Sequence, residues 1–135
     1  MTSERPSVVL ASAGSGKTHE LAGRYIAALG AGAERILATT FTRKAAGEMR
    51  SKVLRRLLDA ANGAAGAAEA LSESCGRRIT REEARGLLLE LLRGIDRLRI
   101  QTLDSFLAEV GRLFSAELGL LPGWRILDEI ESDEV

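Results

Sequence analysis

Cysteine and histidine occur once each in this chain of 135 residues, and proline only twice. A lone Cys75 excludes an internal disulfide, and one thiol plus one imidazole make no metal quartet. Without a partner base nearby in sequence, Cys75 reads as an incidental loop thiol rather than a nucleophile. Aromatic residues are 4% of the chain, so a core must be built from Leu, Val, Ile and Ala. Neither sign of charge prevails, because 19 Lys and Arg balance 19 Asp and Glu. A neutral chain exerts no global pull on nucleic acid, and any such binding requires a local patch. No run approaches the roughly 18 apolar residues of a transmembrane helix. The opening stretch, Met1 to Ser7, is too polar for a signal peptide. These absences predict a cytoplasmic protein with no membrane partner. The length suits one small domain with a real core.

What is present concentrates in one octet. Residues 11–18 read Ala11-Ser12-Ala13-Gly14-Ser15-Gly16-Lys17-Thr18, after the apolar run Val8-Val9-Leu10 and before a helical pattern. That is the context of a phosphate-binding loop, although the strict pattern opens with Gly and here has Ala11. Gly14 and Gly16 admit backbone conformations closed to other residues. The loop amides then face phosphate oxygens, and the following helix adds its positive end. Lys17 is predicted to reach the β- and γ-phosphates, and Thr18 to place its hydroxyl on Mg²⁺. The cofactors expected are therefore ATP and Mg²⁺.

The rest of the chain alternates strands and helices. Ser7–Leu10 is a short buried strand candidate, followed by a helix with Leu21, Ala22, Tyr25, Ile26 and Leu29 at helical spacing and a stop at Gly30 and Gly32. Arg35–Phe41 is a second strand, and the helix after it carries Ala46, Met49, Val53 and Leu57 on one face. Residues 60–78 are rich in Ala and Gly and read as a flexible connection. Thr80-Arg81-Glu82-Glu83 is a capping box that starts a Leu-rich helix. Arg97–Leu103 is a third strand candidate, with Asp104 as the expected cap of a helix running to about Leu118 and stopped by Gly119. An acidic tail, Asp128 to Val135, closes the chain. The order predicts α/β architecture with parallel strands and crossover helices.

One patch stands out from the neutral background. Between Arg43 and Asp59, six cations (Arg43, Lys44, Arg50, Lys52, Arg55, Arg56) face two acids (Glu48, Asp59), a local balance of 6 − 2 = +4. A basic helix beside an aromatic at a strand end suits single-stranded nucleic acid: the ring stacks on a base while cations and hydroxyls hold phosphates. A basic helix that merely keeps the chain soluble is the competing reading.

The octet, the block ILATTFTRKAAGEMRSKV and the block RIQTLDSFLAEV together resemble the N-terminal part of the UvrD/Rep-type superfamily 1 DNA helicases, most of all the AddA and RecB helicase-nuclease branch. The likeness spans residues 7 to about 127, and the TFTRKAA block is its most specific part. It implies a RecA-like P-loop NTPase sheet with flanking helices, incomplete because only the opening of motor domain 1A is represented. It further implies a partial motor domain over residues 1–121 and a tail, 122–135, leading toward an inserted helical subdomain. Ala11 to Thr18 then form the ATP site, with Lys17 and Thr18 catalytic. Phe41, Thr42 and Arg43 match positions that touch single-stranded DNA, and Thr102 and Ser105 match a further DNA-contacting block. The implied partners are single-stranded DNA, the rest of the helicase chain with its second motor domain, and a nuclease subunit.

Two departures from the family pattern matter. Where relatives write Thr-Ile-His-Ser-Phe, this chain has Asp104 in the His position, and an ionised Asp repels phosphate. Many relatives also read adenine with an upstream Gln, whereas the only Gln here is Gln101. Ile126-Leu127-Asp128-Glu129 is not the family's Mg²⁺-binding Asp-Glu box, because the apolar run before it is too short for a central buried strand. Trp124 is read as a packing residue. The segment is expected to act within a helicase active in repair or recombination, and to be inactive and aggregation-prone by itself, with open sheet edges. A small P-loop phosphotransferase, and a nucleotide- or DNA-binding module without turnover, remain open on the residues alone.

Overall fold

The computed structural model describes residues 16–33, 36–95, 98–121 and 123–124. The strand expected at Ser7–Leu10, the loop residues Ala11–Ser15 and the acidic tail lie outside these. Five helices and two strands are formed among the described residues: α1 (Lys17–Gly30), β1 (Leu37–Thr40), α2 (Arg43–Asn62), α3 (Ala67–Cys75), α4 (Arg81–Arg93), β2 (Arg99–Thr102) and α5 (Leu103–Leu113). The architecture is α/β, as the alternation of patterns predicts. The two strands pair in parallel, Leu37 opposite Arg99 through Thr40 opposite Thr102. Between them run three helices, so the crossover is long.

Helix α2 organises the molecule. Its buried residues are Ala46, Met49, Val53, Leu57, Ala60 and Ala61, a stripe at helical spacing. That stripe packs against α1, α3, α4 and both strands. From α1 it meets the buried Ala22, Tyr25 and Ile26, whereas Leu21, equally apolar in the sequence pattern, faces out. Strand β2 adds the fully buried Ile100. Arg50 fixes helix to sheet: its Nε and one Nη both donate to the Ile100 carbonyl, at 2.8 and 2.6 Å. The opposite end of α2 closes on Gly63, whose left-handed φ of 74° lets the next amides bond back to Ala60 and Asp59. There the Ala61 carbonyl accepts from Arg81 of α4 at 3.0 Å.

Four expectations from sequence are corrected. The stretch 60–78, read as a flexible connection, carries the last turn of α2 and all of α3. One side chain anchors that helix, since Leu71 is only 1% exposed within the core. Gly66 and Gly76, both at positive φ, end it on either side. Cys75 is accordingly no loop residue. It is the last residue of α3, and its thiol donates to the Gly23 carbonyl at 3.4 Å. The cap of α5 is Thr102, two residues before the expected Asp104: the Thr102 hydroxyl accepts from the Ser105 amide at 3.1 Å. Asp104 then sits in the first turn, where the helix dipole favours its charge. Helix α5 also stops at Leu113, short of Leu118, and turns carry the chain to Gly119.

The capping box at Thr80 forms its first half, with the Thr80 hydroxyl accepting from the Glu83 amide at 3.2 Å. The Glu83 carboxylate pairs with Arg77 at 2.5 Å. Trp124 packs as expected. Its ring lies so close to Gly111 of α5 that a Cβ there would come within 2.8 Å of two ring carbons. Among the described residues no helix is long and apolar enough to cross a membrane.

Two substitutions test this account. Leu71→Ala empties a core position and lowers the unfolding free energy by about 2–5 kcal/mol, measured by urea denaturation, whereas a loose linker would lose almost nothing. Gly47 lies in α2 with open space around the position a Cβ would take. Gly47→Ala therefore raises stability by about 0.5–1 kcal/mol in the same assay.

Candidate functional site

The first half of the site lies at the start of α1. Gly16 has a left-handed φ of 83°, and its carbonyl accepts from the amides of His19 at 2.8 Å and Glu20 at 3.0 Å. As the N-cap it offers no side-chain acceptor to the helix start. The first turn then carries Lys17, exposed, and Thr18, half-buried. A helix start without its own side-chain cap, a Lys and a hydroxyl together make a donor set suited to a polyphosphate with its divalent cation. The acid in this turn, Glu20, is tied to Arg24 at 3.0 Å. Ala11 to Ser15 lie outside the described residues. Among the described residues no group of three or more His, Cys, Asp and Glu could hold a metal ion.

Behind that turn α1, α2 and α3 meet around Arg56. The Arg56 cation, partial burial and Lys52 push His19 below the ordinary histidine range, against the weaker pull of Glu20. His19 is thus neutral at pH 7. Burial pushes the Cys75 thiol up, so it stays protonated and packs as a small apolar group.

The second half lies at the carboxyl ends of β1 and β2. Parallel pairing brings the two ends to one side, where ligands gather in open α/β sheets. Phe41 follows β1 and is 89% exposed. Thr42 caps α2, its hydroxyl accepting from the Ala45 amide at 3.1 Å, and its carbonyl accepts from the Thr40 hydroxyl at 3.0 Å. Arg43 is the first residue of α2 and is exposed. Across from it, Thr102 is buried, and its hydroxyl pairs with that of Ser105 at 2.8 Å. A recess of about 300 Å³ between α2 and β2 is lined by Arg43, Ala46, Gly47, Arg50, Gln101, Thr102 and Ser105. Three of the five residues predicted to bind nucleic acid, Arg43, Thr102 and Ser105, thus share one cavity. Phe41 and Thr42 stand outside its lining, two residues and one before Arg43.

Arg50, Gln101 and Gly47 were not singled out from sequence as site residues. Arg43, Gly47 and Arg50 fall at i, i+4 and i+7 on one helix face, a signal that was available. Gln101 gave none. Its amide donates to Glu109 at 3.2 Å, and Glu109 also accepts from Arg99, so the carboxylate beside the recess is already engaged. A larger groove of about 850 Å³ lies at the other end of α1, between Leu29, Gly30 and α4 residues such as Leu87 and Glu90. It contains none of the predicted site residues.

Comparison with known proteins identifies the family. The family model described as the UvrD/REP helicase N-terminal domain matches residues 1–135. An ATP-dependent helicase/nuclease protein of Streptococcus suis is 34% identical over 127 residues, covering 92% of this chain and 9% of the relative. Its counterpart in Lactococcus lactis subsp. lactis, which bears the same name, is 36% identical over 129 residues, 93% of this chain and 10% of its own. The ATP-dependent DNA helicase UvrD1 of Mycobacterium leprae is 53% identical over 57 residues, 40% of this chain and 7% of the relative. The chain thus spans about a tenth of the length of these relatives. No solved structure matches. With the family model covering the whole chain, this protein belongs to the UvrD/REP helicase N-terminal domain family.

Proposed function

We propose that this chain is the ATP- and single-stranded-DNA-binding opening segment of an ATP-dependent DNA helicase of the helicase-nuclease type, working in DNA repair or recombination. The observation that carries the reading is the meeting of Arg43, Thr102 and Ser105 at one recess on the carboxyl side of the parallel strands, in a chain of this family. Its fold in this reading is the first part of a RecA-like P-loop domain, 1A, with residues 122–135 leading out of it.

Each residue then has a physical task. The left-handed turn at Gly16 and the start of α1 face a triphosphate. Lys17 neutralises its terminal charge, and the Thr18 hydroxyl holds Mg²⁺. Ala11 to Ser15 supply the remaining amides of the loop. Bound ATP–Mg²⁺ supplies the free energy of phosphoanhydride hydrolysis. Phe41 offers a free ring face on which a base stacks. The hydroxyls of Thr42, Thr102 and Ser105 and the Arg43 guanidinium hold the sugar–phosphate backbone. Thr42 can both accept from its helix amide and donate outward, since a hydroxyl does both. Asp104, in the family's His position, is exposed in the first turn of α5 and adds no phosphate contact. The partners in this reading are a nuclease subunit and the rest of the helicase chain, with its second motor domain. ATP and DNA meet inside the cell, which places the work in the cytoplasm.

Lys17→Ala in the full-length helicase abolishes ATP-dependent strand separation and leaves single-stranded DNA binding nearly intact; unwinding at the wild-type rate overturns the assignment. Phe41→Ala weakens single-stranded DNA binding by about 1–3 kcal/mol, read by fluorescence anisotropy. The melting temperature hardly moves, because so exposed a ring packs little. Equal affinity in the variant removes Phe41 from the DNA track.

A further inference from the structure

We propose that Arg56 is a positioning residue for the nucleotide site: its guanidinium clamps the first turn of α1 to α3, holding the turn that carries Lys17 and Thr18 in its binding form before nucleotide arrives. This rests on reading that turn as the phosphate site.

The clamp is visible as a set of bonds from one side chain. One Nη of Arg56 donates to the His19 carbonyl at 3.2 Å, within the first turn of α1. The other donates to the Ala70 carbonyl at 3.2 Å and to the Ser74 hydroxyl at 2.5 Å, both on α3. Ser74 itself donates to the Ala70 carbonyl at 2.9 Å and lies 3.4 Å from His19 Nε2. One turn further along α1, the backbones of α1 and α3 almost touch: a Cβ at Gly23 would meet the Ser74 Cβ at 2.8 Å and its carbonyl oxygen at 2.9 Å. The Cys75 thiol bonds to the Gly23 carbonyl at the same junction. Helix α3 is thus seated directly behind the turn that presents Lys17 and Thr18.

Stability alone is a poor reason for Arg at this place. Burial pulls the Arg56 guanidinium below its ordinary range, a sign that its charge is partly withdrawn from water. An apolar side chain would join three helices without that desolvation cost. What an apolar side chain cannot do is hold the His19 carbonyl. Lys cannot replace Arg either, because one ammonium does not reach several acceptors in fixed planar directions. A turn held beforehand loses less freedom when phosphates bind, so the clamp acts on affinity rather than on the chemical step.

The test compares variants of the full-length helicase by titration with a fluorescent ATP analogue (mant-ATP) plus Mg²⁺, and by steady-state ATP hydrolysis. Arg56→Ala and Arg56→Lys each weaken mant-ATP binding and raise the KM for ATP about tenfold, with kcat within about twofold of wild type. Ser74→Ala, which removes one anchor, weakens binding less. Arg81→Ala is the control: it frees the far end of α2 from α4 and lowers the melting temperature, but leaves nucleotide affinity unchanged. Wild-type affinity in both Arg56 variants, with Lys17→Ala losing binding, overturns the clamp and spares the site. An equal loss in Arg81→Ala also overturns the clamp, since general destabilisation then suffices. Wild-type affinity in Lys17→Ala removes the nucleotide site, and the clamp falls with it.

Discussion

One stripe of side chains on α2 joins three helices and both strands of the molecule. Ala46, Met49, Val53, Leu57, Ala60 and Ala61 face α1, α3, α4 and both strands. The stripe is graded in size. Alanines at its two ends let neighbouring backbones approach, at the strand ends on one side and at α3 and α4 on the other, while Met49, Val53 and Leu57 fill the middle. In a chain with so few aromatics, no second cluster of comparable bulk takes over among the described residues. Large-to-small changes in this stripe are therefore felt at once by all the elements that meet it, because close-packed interiors relax only in part.

The parallel pairing of β1 and β2 converts that packing into a site. Both strands end on the same side, and a helix begins immediately after each. The hydroxyls at these junctions, Thr42 and Thr102, are consumed first by capping. A capping hydroxyl uses an acceptor lone pair and keeps its proton. Thr42 therefore keeps its hydroxyl proton for an outside acceptor such as a phosphate, and the hydrogen-bonded Thr102–Ser105 pair keeps one proton between them. Local folding and ligand recognition draw on different faces of one functional group, which explains how a short junction serves both.

Much of this was legible in the sequence. Periodicity located α1, α2 and α4, β-branched runs located both described strands within two residues at either end, and Thr80 announced its helix by the capping box. The failures have a common physical cause, in that the deciding interaction was tertiary. Helix α3 is nearly all small or polar, and its one large apolar residue, Leu71, cannot make a period by itself. Its stability comes from docking on α1 and α2, which local composition does not record. Asp104 and Thr102 are both good caps, and only the sheet register, which ends at Thr102, chooses between them. Of the site, the residues at the strand ends were readable from motif blocks. Gln101 was not, because its place in the recess depends on α2 crossing β2, and Arg50 shared a helix face with Arg43 but only that crossing shows that the face lines a recess.

The basic surface of α2 has a divided role that counting charges conceals. Of its six cations, Arg50 and Arg56 turn toward neighbouring backbone and tie α2 to β2 and to α1 and α3 respectively. Lys44, Lys52 and Arg55 stay exposed to solvent. The two ties are six residues apart, about 9 Å along the helix. One lies at the recess beside Thr102, and the other lies behind the turn of Lys17 and Thr18. Forming hydrogen bonds to carbonyls does not cancel a guanidinium's charge, so both arginines still contribute to the local positive potential. A single rigid helix thus carries the fastening of both half-sites. A shift of α2 relative to the sheet would be felt at both ends of it, at the recess beside Thr102 and at the turn of Lys17 and Thr18.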